Sequence, residues 1–229
     1  MLDNRLSLCA EFVTGDYFCD IGTDHAYLPA ELVLSGKCRR GIASDINKKP
    51  LAAAAATLEK FGVSERVKLV ISDGMKNIDM NGVTDVIIAG MGGDLICDIV
   101  EEGFLSGKLT EDMSLILQPM TRASEVRGFL CCNGFTVVSE RAACVGKFCY
   151  SVMRMKYTGD YYACTPLEEE IGFMDFSREN ERKYALSRLE RLEKIIGGMK
   201  RSSDAGEELR EYEELAEEIR KKLSREVQS

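Results

Sequence analysis

Acidic residues close three apolar segments of this sequence, and their positions suggest where ligand chemistry takes place. Asp20, Asp45 and Asp73 each end a short run that predicts a β-strand. Asp20 is followed by Gly22, where a backbone without a Cβ lets a ligand approach closely. A helix predicted from Ala26 would supply free N–H groups beside it. A strand, an acidic glycine turn and a helix together predict a nucleotide cleft of the kind that α/β proteins form.

Asp45 and Asp73, the second and third of these acids, indicate which class of cofactor the cleft binds. Asp45 lies about 20 residues beyond Gly22, the spacing at which an acid commonly accepts hydrogen bonds from ribose hydroxyls; the alternative is that it caps the helix predicted from Lys48. Asp73, followed by Gly74, can accept from an adenine amino group, or it can form a plain Asp-Gly turn. A dehydrogenase has little use for the third acid, so the three acids favour an adenosyl cofactor over a nicotinamide cofactor.

A second glycine-rich turn ends the fourth predicted strand. The segment Ala89-Gly90-Met91-Gly92-Gly93 has three glycines in four positions, which leaves bare backbone where open α/β sheets bind ligands. The alternative, a tight entry into a helix, seldom needs so many glycines. We therefore predict that Ala89, Gly90, Met91 and Gly92 line the same cleft as Gly22.

Asp24, His25 and Tyr27 supply candidate chemistry in the turn after Gly22. His25 is the only histidine of the chain, and a lone histidine is more often structural than catalytic. No cysteine stands at ligand spacing from it, so the sequence predicts no metal site.

Composition limits the class of protein. The 229 residues carry a net charge of −8, which disfavours a surface coated with nucleic acid but permits a local basic patch. No apolar run approaches the roughly 18 residues of a membrane span, and the first ten residues do not resemble a secretory signal. The nine cysteines lack ligand spacing and predict buried thiols in the cytoplasm rather than a disulfide framework.

Apolar runs and helical patterns alternate up to about residue 130, which predicts a mostly parallel, Rossmann-like sheet with right-handed crossovers. The predicted strands are Tyr17–Ile21, Gly41–Ser44, Val67–Ile71, Val83–Ala89 and Ser114–Leu117, and the predicted helices are Ala26–Ser35, Lys48–Phe61, Gly92–Glu102 and Arg122–Cys132. Phe135–Val145 and Phe148–Tyr157 follow without a helix between them and predict an antiparallel hairpin. Such a final hairpin distinguishes the methyltransferase variant of this α/β fold.

The chain changes character at about Pro166. Beyond it, charged residues are dense and apolar residues repeat at three- and four-residue spacing, as in the series Leu189, Leu192, Ile196 and Met199. We predict a sheet domain over residues 1–160 and an antiparallel coiled coil over residues 166–229, with a turn at 202–206. If the two are separable, deleting the tail should spare cofactor binding.

The motifs together resemble those of one family. Asp-Ile-Gly-x-Asp-His-Ala-Tyr-Leu-Pro from Asp20, Ile-Ala-Gly-Met-Gly-Gly ending at Gly93, and Leu-Gln-Pro ending at Pro119 are similar to those of bacterial tRNA adenine-N1 methyltransferases of the TrmK type. Members are class I S-adenosylmethionine methyltransferases with a helical, coiled-coil extension, and the likeness spans about residues 1–225. The resemblance implies S-adenosyl-L-methionine as cofactor and methylation of N1 of adenine 22 in tRNA.

The resemblance also implies roles for individual residues. Asp20, Gly22, Asp24 and His25 would line the cofactor loop, and Ala89 to Gly93 would lie between the cofactor and the target base. Asp45 would bind the ribose, and the Asp73-Gly74 turn would bind the adenine. Adenine N1 is already nucleophilic, so alignment supplies most of the acceleration. Asp24 is the candidate group to stabilise the cationic product, with His25 or Tyr27 positioning the base.

Two other functions stay open at this point. One is methylation of a small molecule or a protein, and the other is a non-catalytic RNA-binding adaptor with the same fold. The sequence also leaves the oligomeric state open. If tRNA is the partner, basic residues must surround the cleft, and the candidates are Lys37, Arg39, Arg40, Lys48, Lys49, Arg122 and Arg127.

Overall fold

The computed structural model describes residues 2–201 and 206–225. Seven strands occupy β1 Tyr17–Ile21, β2 Arg40–Asp45, β3 Val67–Ile71, β4 Asp85–Gly92, β5 Ser114–Thr121, β6 Phe135–Val145 and β7 Phe148–Tyr157. The α-helices are α1 Asn4–Phe12, α2 Tyr27–Leu34, α3 Lys48–Lys60, α4 Gly93–Leu105, α5 Ala123–Cys132, α6 Pro166–Ile171, α7 Glu179–Arg201 and α8 Glu207–Arg225, and Ser64–Arg66 form a 3-10 turn.

All seven strands belong to one sheet in the order β3-β2-β1-β4-β5-β7-β6. The first five are parallel, whereas β7 is antiparallel to both β5 and β6. The predicted Rossmann-like sheet with a final antiparallel hairpin is therefore confirmed. The strand order reverses between β1 and β4, and open α/β sheets bind ligands outside the carboxyl ends of strands at such a point. We call this side of the sheet the carboxyl edge and the opposite side the amino edge.

Helices cover both faces of the sheet. One apolar cluster packs α1, α2 and α3 on one face, and another packs α4 and α5 on the other. Between them, Val86, Ile87 and Ile88 of β4 are fully buried, as expected for a strand covered on both faces. Sequence analysis did not predict α1, a short helix whose N-cap Asp3 accepts from two backbone N–H groups.

The fourth and fifth strands run further than predicted at the carboxyl edge. Their pairing continues through Met91 with Pro119 and Gly92 with Thr121, with register shifts around Gly90. The glycine segment predicted as a turn is therefore a β-bulge, in which an extra residue interrupts the ladder and redirects the chain.

The helical tail packs on itself and on the sheet. Ion pairs of Lys200 with Glu213 and of Arg220 with Glu193 join α7 to α8, in the antiparallel order that the sequence predicts. The tail's apolar cluster also includes Ala142 of β6. The turn predicted at 202–206 falls largely on residues 202–205, which lie outside the described residues, and the division at residues 160–166 stays a prediction.

Cysteine burial was predicted correctly for only part of the set. Five free thiols are buried, whereas Cys132 is exposed and Cys97 is half-buried. Cys144 and Cys149 form a disulfide, so the expectation of free thiols throughout is wrong for this pair. The two residues face each other across the β6–β7 hairpin, the register that a two-residue turn between the two predicted strands implies.

None of the helices in the described ranges has the length and apolar character that a bilayer span requires.

Candidate active site at the carboxyl edge

The turn after β1 and the bulge of β4 meet at the carboxyl edge. The N–H groups of Gly22 and Thr23 donate to the carbonyl of Ser44 at 2.8 and 2.9 Å, which folds the turn toward β2. Gly22 has φ +77°, and a Cβ there would clash with the Met91 methyl carbon. Met91 therefore covers Gly22, and the structure brings together the two glycine segments that the sequence placed in one cleft.

Unusual backbone conformations concentrate at this edge. Among the described residues, Asp24, Ala26 and Arg122 are the non-glycine residues with positive φ, at 48°, 53° and 55°. Asp24 and Ala26 lie in the turn between β1 and α2, and Arg122 directly follows β5. Left-handed backbone is costly for such residues and persists mainly where a functional site holds it in place.

Asp20 is a buried acid without a cation beside it. Its side chain lies at the end of β1 with the residue only 5% exposed, and no ion pair reaches it within the described part of the chain. Burial raises the pKa of Asp20 to about 6, although the nearby Thr23 side chain acts in the opposite direction. The hydroxyl of Thr23 is itself buried and makes no hydrogen bond. No cation therefore compensates the Asp20 carboxylate, and the Thr23 hydroxyl lacks the well-formed hydrogen bond that buried polar groups normally have.

Asp45 and Asp73 occupy the ends of the neighbouring strands. The carboxylate of Asp45 accepts from the N–H of Asn47 at 2.8 Å. Asn47, not Asp45, is the N-cap of α3, so the capping alternative is wrong. Asp73 is exposed and accepts from Lys76 Nζ at 2.6 Å, beside Gly74 with φ +53°.

A buried amide fixes the bulge of β4. The Gln118 side chain is fully buried; its Oε1 accepts from the N–H of Gly90 at 3.2 Å, and its Nε2 donates to the carbonyl of Pro119 at 2.9 Å. Arg5 of α1 also donates to Gln118 Oε1, at 3.3 Å, and is paired with Asp3 at 2.7 Å. Sequence analysis missed Arg5, because only the unpredicted helix α1 brings it to this edge.

Ala89, Gly90 and Gly92 leave backbone uncovered around this bulge. Ala89 is half-buried, whereas Gly90 and Gly92 are exposed. At the next residue, Gly93, a Cβ would lie 2.7 Å from the carbonyl oxygen of Arg122, so only glycine lets α4 begin this close to the end of β5.

Asp24, His25 and Tyr27 lie on the solvent side of the site. The side chains of Asp24 and His25 are 72% and 52% exposed, and Asp24 Oδ2 is 3.7 Å from His25 Nε2. The His25 and Tyr27 rings are 5.9 Å apart and tilted by 36°. Within the described residues, no group of three or more His, Cys, Asp or Glu side chains is arranged to hold a metal.

The predicted basic surround is wrong for four of its seven residues. Arg39 pairs with Asp16, which precedes β1, and Arg40 lies over the ring of Tyr17 at the start of β1. Lys37 donates to the carbonyl of Ala10, so these three lie at the amino edge. Arg127 is fully buried. Lys48, Lys49 and Arg122 remain at the carboxyl edge.

Two large cavities lie away from this edge. One of about 580 Å³ opens at the amino edge between Gly82, Thr84 and Met113, and one of about 960 Å³ lies along α8. Neither contains a predicted site residue. The strand-end acids, the bulge and the left-handed turns identify the carboxyl edge as the candidate site.

A comparison with family profiles identifies the fold's family. The profile described as a methyltransferase domain matches residues 2–153. The chain belongs to this methyltransferase family. The match covers every predicted site residue and ends within β7.

Relatives of this methyltransferase are found by sequence and by structure. The tRNA (adenine(22)-N(1))-methyltransferase of Bacillus subtilis is 36% identical over 153 residues, which are 66% of this chain and 63% of that protein; the match thus spans a little under two thirds of that relative. M. capricolum TrmK, solved with S-adenosyl-homocysteine, is 25% identical with a TM-score of 0.79 over 98% of both chains. A Streptococcus pneumoniae protein solved with S-adenosyl-L-methionine is 27% identical with a TM-score of 0.80 over 96% of this chain and 99% of that chain.

Proposed function

We propose that this methyltransferase uses S-adenosyl-L-methionine to methylate N1 of adenine 22 in tRNA. The observation that carries the proposal is the buried carboxylate of Asp20 at the end of β1, which no cation compensates in the described residues. The names of the relatives, which include a tRNA (adenine(22)-N(1))-methyltransferase, supply the class of substrate.

The residues at the carboxyl edge fit the cofactor. A buried acid without a cation suits the ammonium of an amino acid, because the cation would compensate its buried charge. Gly90 leaves open space for the ligand where a Cβ would project, and Gly22 lets Met91 pack closely against the turn. Asp45 offers its second carboxylate oxygen to ribose hydroxyls, and Asp73 with Gly74 stands where the adenine would lie. When bound, S-adenosylmethionine supplies an electrophilic methyl group.

The exposed residues of the β1–α2 turn suit the target base. Adenine N1 carries a lone pair in the plane of the ring, so the protein has to align the base rather than deprotonate it. Methylation leaves a positive charge on the base, and the Asp24 carboxylate stabilises that charge by proximity. The paired rings of His25 and Tyr27 offer a surface on which a flipped base can be held.

The proposed substrate places the protein in the cytoplasm and makes tRNA its partner, with neither a metal nor a membrane involved. Nucleoside mass spectrometry of tRNA incubated with the protein and S-adenosylmethionine tests this. We expect 1-methyladenosine at position 22, in unchanged yield when a chelator is present. A tRNA in which adenine 22 is replaced by guanine is the matched control and should stay unmodified.

Both alternatives predict no 1-methyladenosine in that assay, and methyl-transfer and binding measurements separate them. Methyl transfer to a small molecule or a protein, but not to tRNA, would identify a different substrate. Binding of tRNA without any bound cofactor would identify a non-catalytic adaptor.

A further inference from the structure

The β6–β7 hairpin projects at the same edge as the candidate site. Because β7 is antiparallel to β5, with Leu117 opposite Met153, the first residues of β7 lie beside the last residues of β5. Met120 and Tyr150 accordingly line one small cavity of about 120 Å³. The hairpin turn therefore lies beyond the end of β5, the strand that pairs with the bulge of β4.

Two aromatic rings lie on this hairpin, each with a cation beside it. Phe148 and Tyr150 alternate along β7 and share a face of the strand; their centroids are 6.5 Å apart. Lys147 Nζ lies 5.3 Å from the Phe148 ring, and the Arg5 guanidinium lies 5.3 Å from the Tyr150 ring. Phe148 is 57% exposed, so the face of its ring is accessible from solvent.

The hairpin is braced from two sides. Asn4 of α1 donates to the carbonyl of Cys144 at 2.8 Å, just before the turn. Cys149 also packs against the apolar cluster of the tail. The rings are thus presented on a fixed support, which lowers the entropic cost of binding.

Arg5 connects this aromatic pair to the active site. The same guanidinium that faces Tyr150 donates to Gln118 Oε1, which holds the N–H of Gly90 in the bulge. The aromatic pair is therefore joined through Arg5 and Gln118 to the backbone that would face the target base.

We propose that Phe148 and Tyr150 stack on a nucleotide of tRNA that neighbours the methylated adenine. The inference rests on the proposed function. Flipping one base out of an RNA stack exposes the faces of its neighbours, and base–aromatic stacking is tolerant of sequence. Lys147, which pairs with no carboxylate in the described residues, is placed to meet a phosphate. In a chain of net charge −8, an aromatic surface flanked by cations favours a polyanion over a basic protein.

The test exploits the absence of tryptophan from this chain. A Phe148→Trp variant carries one fluorophore at the hairpin, and stacking on a base should quench it when tRNA is added. Phe61→Trp is the matched control, since Phe61 is 39% exposed with Lys60 Nζ 5.9 Å from its ring. It follows α3 at the amino edge, and its emission should not change.

Alanine variants of the same two positions measure the contribution to affinity. We expect Phe148→Ala to weaken tRNA binding about 5- to 150-fold, which corresponds to the 1–3 kcal/mol of one base–aromatic stack. Phe61→Ala should bind tRNA as the wild type does. Neither change should alter affinity for S-adenosylhomocysteine, and equal melting temperatures would show that the fold is intact.

The outcomes separate this inference from the proposed function. If the wild type forms no 1-methyladenosine, the proposed function fails and the inference fails with it. If the wild type is active but Phe148→Ala matches Phe61→Ala in tRNA affinity, only the inference is overturned, and the exposed rings serve a protein contact instead.

Discussion

Buried charge is uncompensated at the carboxyl edge but fully paired at the junction, by which we mean the contact of α5, β6 and β7 with the helical tail. At the carboxyl edge, Asp20 is buried without a cation and the Thr23 hydroxyl is buried without a partner. At the junction, Arg127 and Glu140 are fully buried in their side chains and bonded to each other at 2.6 Å. The Asp20 carboxylate and the Thr23 hydroxyl are thus available to bind polar groups of a ligand, whereas the paired Arg127 and Glu140 stabilise the fold.

The junction joins elements from both parts of the chain. Glu140 of β6 accepts from Arg127 of α5, from Ser151 of β7 and from the N–H of Phe173. Arg127 also donates to the hydroxyl of Tyr184 in α7 and to the carbonyl of Glu169 in α6. Three of these partners, Phe173, Tyr184 and Glu169, come from the tail. The tail therefore supplies hydrogen bonds that the buried side chains of the sheet domain need.

Removal of the tail should have the largest effect. The sequence alone suggests that a chain ending before Pro166 keeps its cofactor site, but the junction predicts that such a chain does not fold stably. It would leave Glu140 and Arg127 without several partners and would expose the apolar surface around Ala142. Circular dichroism melting of the truncated and full-length proteins checks this, and equal melting temperatures would show that the sheet domain is independent.

The single change Arg127→Met should destabilise the protein by about 3–5 kcal/mol, because it leaves the Glu140 carboxylate buried without compensation. Urea unfolding gives the value. The double variant Arg127→Met with Glu140→Leu should recover much of the loss, since no buried charge remains. A single variant as stable as the wild type would show that the pair of Arg127 and Glu140 does not stabilise the junction.

Asp20→Asn should act in the opposite sense on stability. The pKa of Asp20 is raised from 3.8 to about 6, so its ionised form destabilises the fold, and this cost grows as pH rises from about 4 to 6. At pH 7 we therefore expect the Asn variant to be at least as stable as the wild type. Lower stability of the variant at pH 7 would contradict the claim that the ionised Asp20 carboxylate destabilises the fold.

The pH dependence of cofactor affinity should follow the ionisation of the Asp20 carboxylate. The ammonium needs Asp20 ionised, so the wild type should bind S-adenosylhomocysteine about tenfold more weakly at pH 5 than at pH 7, as a pKa near 6 requires. Calorimetry should show weaker and nearly pH-independent binding for Asp20→Asn. A flat profile for the wild type would place the ammonium elsewhere.

Asp45→Ala tests the neighbouring strand end. Loss of a charged acceptor for ribose hydroxyls should weaken cofactor binding by about 1.5–3 kcal/mol, without destabilising the fold as Arg127→Met does. Binding calorimetry measures it. An unchanged dissociation constant would restrict Asp45 to its bond with the N–H of Asn47.

The smallest expected effect concerns surface charge. Replacing Lys48 and Lys49 with alanine should lower the salt dependence of tRNA binding by about one unit of slope for each phosphate that the variant no longer neutralises. Arg39 and Arg40 serve as the control pair, because they lie at the amino edge. An equal slope change in both double variants would mean that tRNA binds along the whole sheet rather than at its carboxyl edge.

Much of the candidate site could be predicted from the sequence because it depends on local features. Alternating apolar runs locate the strands, and an acid or glycine directly after a strand must lie at its carboxyl end. Arg39 and Arg40 were misplaced although the same rule applies to them. Both come at the start of β2 and therefore lie at its amino end, about 20 Å from the carboxyl edge because six residues separate the two ends.

The sequence by itself determined the parallel sheet, its final hairpin and the acids and glycines of one cleft, because periodicity and backbone requirements act over a few residues. Only the tertiary structure decided where long side chains reach, which of them are buried and which residues distant in the chain come into contact. Arg5 reaches Gln118 across 113 positions, and Arg127 became buried through partners in β6, α6 and α7. Such contacts depend on which elements become neighbours, and that is settled by packing of the whole chain rather than by any local pattern.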